Sequence, residues 1–159
     1  MKKSPLDRLG NEIVSSLPLQ MSLFFNVIYF PFWFLISLLS TIVKYTYLNY
    51  LYKFILLTVL IAVVIIEVIR LYLGYLGNLQ EKVPELAGFW LLSIILQLPL
   101  QGFLLLNEDL IILPIERAGN IVMILLLISQ LLAGLLALKR ITRHQAKKFH
   151  LHQFQLDKE

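Results

Sequence analysis

Glu67 and Arg70 are the residues of this chain whose types and spacing could do chemistry in an apolar setting. They stand three apart in a run otherwise free of charge from Phe54 to Gln80. On a helix that spacing puts both on one face. Each would cost a few kcal/mol inside a bilayer, so such residues are as a rule paired, turned inward or functional. Two readings follow. Glu67 could line an ion or proton path, making the chain a small transporter or channel subunit. Alternatively the two form a structural pair near the cytosolic interface, with Arg70 snorkelling outward. The second is preferred, because the other apolar runs offer the carboxylate no relay partner.

Other chemistries are poorly supplied. Intramembrane hydrolysis needs two aspartates, a Ser/His pair or a metal-bound water, and the apolar runs contain none of these. His144, His150 and His152 follow the last run without a carboxylate cluster, which reads as solvated histidine rather than a metal site. The chain has no cysteine, which excludes disulfides, zinc knuckles, thiol catalysis, palmitoylation and prenylation. No Asn-x-Ser/Thr glycosylation acceptor occurs. A non-enzyme without cofactors is expected.

Association chemistry is better represented. Gln97 and Gln101 lie four apart, on one helical face, with Pro99 between them freeing a carbonyl one turn back. Ser129, Ala133 and Ala137 recur every fourth residue, a stripe along which a neighbouring helix could approach, and Gln130 could hydrogen-bond across that interface. Lys139, Arg140, Arg143, Lys147 and Lys148 follow directly, ahead of Phe149, Leu151, Phe154 and Leu156. Five bases at that point serve as a stop-transfer signal, a contact for anionic lipid such as phosphoinositide, or both.

The elements that must carry these residues follow from composition. Of 159 residues, 58% are hydrophobic and 15% charged, with a mean hydropathy of +0.78. A soluble domain of this size carries more charge. Charge is absent from Ile13 to Val43, Phe54 to Ile66, Leu86 to Asn107 and Ala118 to Leu138, and about 20 helical residues cross a bilayer. The expected fold is all-α, a polytopic membrane protein with a four-transmembrane-helix bundle. Its spans are 19–43, 54–76, 86–106 and 118–138, between a leader at 1–18 and a basic tail at 139–159. The first run is too long for a signal-peptide core and should remain as an anchor.

Punctuation refines the elements. Pro31 should kink the first span, and Lys44–Lys53, with four tyrosines between its lysines, suits an interfacial turn. Gly74 and Gly77 suit a left-handed cap ending the second span, with Pro84 opening the third and Glu85 at its positive end. The turn from Gly74 to Glu85 is a candidate docking surface for soluble partners. Lys and Arg number ten on the side of the leader, this turn and the tail, against three on the other side, Arg70 being counted within the membrane. The positive-inside rule then places both termini in the cytosol, and the basic charge reports topology rather than nucleic-acid binding.

Residues 67–100, EVIRLYLGYLGNLQEKVPELAGFWLLSIILQLPL, and residues 12–34, EIVSSLPLQMSLFFNVIYFPFWF, resemble the signature blocks of the transmembrane protein 17 family, as does the pattern around Lys147 to Leu151. The resemblance covers most of the chain. It implies a small four-span component of the cilium membrane at the transition zone, working within the Meckel syndrome (tectonic-like) complex. Such a component would act as a scaffold in ciliogenesis, membrane gating and hedgehog signalling. Its implied partners are the other membrane and soluble proteins of that complex, together with membrane lipids.

Overall fold

A computed structural model describes Gly10 and residues 12–157; Lys2, Lys3, Arg8 and Lys158, counted above for orientation, lie outside the described residues. Four helices long and apolar enough to cross a membrane run up and down in turn: α1 Leu17–Lys44, α2 Tyr50–Leu79, α3 Val83–Leu106 and α4 Pro114–Leu156. The fold is thus an all-α, four-helix membrane bundle. Ser16 caps α1, its hydroxyl accepting from the Leu19 N–H, and α1 then continues through Pro31 without interruption. Pro84 stands in the first turn of α3 and Pro114 in that of α4, where a missing N–H costs no hydrogen bond. α4 does not stop at the bases but carries them as helix to Leu156.

α1 packs along α4 and α2 along α3. Two apolar clusters fill the bundle, one toward each end. Leu19, Leu23, Leu71, Leu86, Phe89 and Ile141 form the cluster at the end where α1 begins and α4 finishes. Trp33, Leu56, Val63, Leu104, Leu110 and Met123 form the other. The outer surface is aliphatic and aromatic, with Phe24, Phe25, Phe32 and Leu35 among its exposed residues. Among these clusters the spans bury polar side chains such as Asn26, Glu67, Arg70, Gln97 and Gln130 while turning apolar ones outward, as hydrocarbon favours, since lipid cannot satisfy a hydrogen bond.

Gly74 and Gly77 do not cap α2. The helix runs on to Leu79, and no glycine among the described residues has positive φ; the left-handed residue of the turn is Glu81, at φ 53°. The glycines serve close approach instead. A Cβ on Gly77 would lie 2.6 Å from the Leu86 backbone nitrogen, and one on Gly74 would lie 3.0 Å from Leu23 and Phe89. Within the expected docking turn Gly74, Gly77 and Asn78 are buried, Tyr75 and Leu76 are half-buried, and the exposed residues are Leu79, Gln80, Lys82 and Pro84.

Pro99 acts as its chemistry requires. The turn before it, Ser93–Gln97, widens into a π-helix in which the Leu98 N–H donates to the Ser93 carbonyl. Proline supplies no N–H for the carbonyl one turn back, and a π turn is a common accommodation of such a disrupted ladder. Ser93, Gln97 and Gln101 are all buried, which gives α3 a polar inner face.

Candidate functional site

The polar interior is organised around Glu67 and Arg70, both 0% exposed. The Arg70 Nη2 donates to Glu67 Oε1 at 2.6 Å and its Nε to Oε2 at 3.2 Å. This is the bidentate fit of a guanidinium to a carboxylate. Glu67 also accepts from α1, through Asn26 Nδ2 at 2.6 Å, and from α3, through Gln97 Nε2 at 2.7 Å. Arg70 reaches α3 at Ser93 Oγ, 3.2 Å away, and donates to Gln130 Oε1 on α4. Its guanidinium lies 5.4 Å from the centroid of the Phe89 ring, within the range of a cation–π contact. All four helices therefore meet at one neutral pair of opposite charges.

Arg70 does not snorkel outward. About nine residues separate it from the end of α2, roughly 14 Å at 1.5 Å per residue. Inward it finds a carboxylate, an amide oxygen, a hydroxyl and an aromatic face. Those partners make the buried position tenable, since an unpaired charge there would carry its full desolvation penalty.

A second centre lies toward the α1–α2 turn. Asn120 Oδ1 accepts from Trp33 Nε1 at 2.8 Å and from Gln101 Nε2 at 2.9 Å, tying α4 to α1 and α3. Beyond it Lys44 Nζ donates to both oxygens of Glu116, at 2.9 and 2.7 Å, and both side chains are buried. Glu116 also accepts from the Leu113 N–H at the start of α4, where a negative charge suits the helix dipole. At the opposite end Asn78 bridges α2 to the start of α1. It accepts from the Ser16 N–H at 2.8 Å and donates to the Ser16 carbonyl at 2.9 Å.

Gln97 and Gln101 share a face as their spacing requires, but bond to different centres. Of the small-residue stripe Ala137 lies on the buried face, while Ser129 and Ala133 stand one position before the buried Gln130 and Gly134. Ser129 is exposed and exchanges a hydrogen bond with Ser22 at 2.8 Å, while the buried face of α4 comprises Gln130, Gly134, Ala137 and Ile141. Gly134 is where Phe89 of α3 approaches: a Cβ there would meet Phe89 Cε1 at 3.2 Å. Ala133 is half-buried beside this contact and Ala137 belongs to the core. Lys139, Arg140, Arg143, Lys147 and Lys148 all lie exposed on the last turns of α4, with His150 and His152 beyond them. His144 Nδ1 lies 3.9 Å from Glu12. Among the described residues no three His, Cys, Asp or Glu side chains could share a metal ion.

Sequence reasoning missed Asn26, Ser93, Asn120 and the Lys44–Glu116 pair. The signal for the asparagines was present: Asn26 and Asn120 stand within charge-free runs, where an amide must find an internal partner. For Lys44 and Glu116, 72 positions apart, no local pattern exists.

A family model described as predicted membrane protein matches residues 21–127. Transmembrane protein 17 of Gallus gallus is 58% identical over 150 residues, 94% of this chain and 72% of that protein. The Homo sapiens protein of the same name is 56% identical over 144 residues, 91% of this chain and 73% of its own length. Transmembrane protein 17B of Danio rerio is 52% identical over 145 residues, 91% and 76% respectively. No solved structure matches the chain.

Proposed function

The chain belongs to the transmembrane protein 17 family of membrane proteins, and from this premise we propose that it is a non-enzymatic scaffold subunit of the ciliary transition-zone membrane. Within a Meckel syndrome or tectonic-like complex it would support ciliogenesis, gating of the ciliary membrane and hedgehog signalling. The observation that carries the scaffold reading is the Glu67–Arg70 centre. Its charges are spent on holding four helices in register, with side chains from every helix bonded to them. A bundle fixed in this way presents a constant outer surface of aromatic and aliphatic side chains to the helices of partners. The Leu79–Glu85 turn and the end of α4 are the surfaces offered to soluble partners.

Location tests this reading. A tagged copy should form a ring or spot between basal body and axoneme, and loss of the gene should let non-ciliary membrane proteins enter the cilium. Uniform plasma-membrane signal, with normal cilia after gene loss, would overturn it.

Orientation is proposed with both termini cytosolic. Gln80 and Gln153 lie at one end of the bundle, Asn49 and Asp109 at the other. With no native cysteine to confuse the assay, single cysteines at 80 and 153 should react with an impermeant maleimide only from the cytosol, and those at 49 and 109 only from the opposite face. Reaction of 80 and 49 from the same side would break the arrangement.

A further inference from the structure

The outward face of α4 changes character once along its length. Leu125, Leu132 and Leu136 are 61%, 63% and 68% exposed. At about 100° per residue they share a strip with Lys139, Arg143 and Lys147. Within one turn the strip passes from leucine to base, the chemistry of the boundary between acyl chains and headgroups.

At that level the segment before α1 crosses beside the helix. It is anchored by the Val14 N–H, which donates to Glu81 Oε1 at 2.7 Å, and α4 is tied to the same residue, Gln145 Nε2 donating to the Glu81 carbonyl at 2.8 Å. Between segment and helix lies a pocket of about 380 Å³. Val14 and Leu136 give it an apolar lining, and Lys139, Arg140, Arg143 and Lys147 line it with cations. Among the described residues none of these four is in an ion pair. One carboxylate, Glu12, faces them. Lys148 lies about 100° round the helix from Lys147 and does not line the pocket.

We propose that this pocket binds the headgroup of a phosphoinositide, with the acyl chains laid along Leu136, Leu132 and Leu125. Four cations against one carboxylate suit a headgroup bearing several phosphate charges rather than a single one. The leucine strip below selects a lipid over a free phosphate, because only a lipid uses both halves of the surface. The sequence placed all five bases in one anionic contact; the geometry separates four that build a site from one that does not.

The test uses the full chain in phosphatidylcholine nanodiscs doped with phosphatidylinositol bisphosphate, the retained lipid being counted by native mass spectrometry. Nanodiscs present lipid at both faces, so the outcome depends neither on orientation nor on the transition-zone role. Arg140→Gln and Arg143→Gln should each weaken retention about fivefold, the worth of one base near a charged headgroup. Lys148→Gln should change it by less than about twofold on the same scale. Arg140→Lys, which keeps the charge, should stay near the native value, guarding against a fold defect. Soluble inositol trisphosphate should compete at least about tenfold less well than a short-chain phosphoinositide, which adds buried methylenes. Equal losses at Arg143 and Lys148 would show diffuse surface attraction and overturn the pocket. Equal competition by the soluble headgroup would overturn the lipid as occupant.

Discussion

Alanine at position 77 should lower the melting temperature of the purified protein more than alanine at any other described helical glycine of the four spans. The added Cβ would lie 2.6 Å from the Leu86 nitrogen and 2.9 Å from its Cα. Both are backbone atoms, so α3 as a whole must withdraw from α2 rather than one side chain turn aside. That places the cost toward the upper end of overpacking, about 3 kcal/mol. Gly134→Ala meets Trp90 Cδ1 at an ordinary 3.5 Å and the edge of the Phe89 ring at 3.2 Å, and that ring can shift by a few tenths of an ångström at about 1 kcal/mol. Gly102→Ala meets nothing within 4 Å and should be neutral, or gain up to about 1 kcal/mol of helix propensity. Thermal melting in detergent reads all three. Indistinguishable melting of the 77 and 102 variants would mean that the α2–α3 contact is not close. The effect should also spread, because Glu81, just beyond Gly77, anchors both the segment before α1 and the end of α4.

This glycine shows where legibility in the sequence ended. Four charge-free runs suffice for four helices, since a bilayer imposes length and apolarity on any segment crossing it. Function of a glycine is not so imposed. Gly74 and Gly77 near the end of an apolar run fit a C-cap and a close contact equally well, and only the position of Leu86 decides. Phase is ambiguous for the same reason on α4. Small residues at 129, 133 and 137 recur with the helix period, but so does the set Gln130, Gly134 and Ala137, and the phase is chosen by Phe89 and Arg70 arriving from other helices. Glu67 and Arg70 were legible as a pair because they are three apart on one helix. The outward course expected for Arg70 followed from treating α2 alone, without Ser93 and Gln130 to receive the guanidinium. Lys44 looked like an interfacial lysine because its partner, Glu116, is distant in sequence.

Within the Glu67–Arg70 centre, Glu67→Gln should be the more damaging single change, and the double change Glu67→Gln with Arg70→Gln should restore much of the loss. Glutamine at 67 is nearly isosteric and can still bond to Asn26 and Gln97, but it removes the negative charge opposite the guanidinium, whose remaining partners, Gln130 Oε1, Ser93 Oγ and the Phe89 ring, are all neutral. Breaking one side of a buried ion pair costs about 3–5 kcal/mol, because a charge stays behind without compensation. Arg70→Gln should cost less. The carboxylate left behind keeps two amide donors, Asn26 Nδ2 at 2.6 Å and Gln97 Nε2 at 2.7 Å, whereas the guanidinium loses the only anion that faces it. The double variant removes both charges and leaves amides among amides. Asn26, Gln97 and Gln130 can each turn an oxygen or an NH₂ toward the new neighbour, so the coupling between the two positions should be large and favourable. Abundance and melting of the three variants, with co-precipitation of partners, measure the cycle. Additive losses would show that Glu67 and Arg70 act separately. If instead Glu67→Gln left melting and assembly intact while abolishing ciliary gating, the carboxylate would act beyond pairing, and the reading of this centre as a helix clamp would fail.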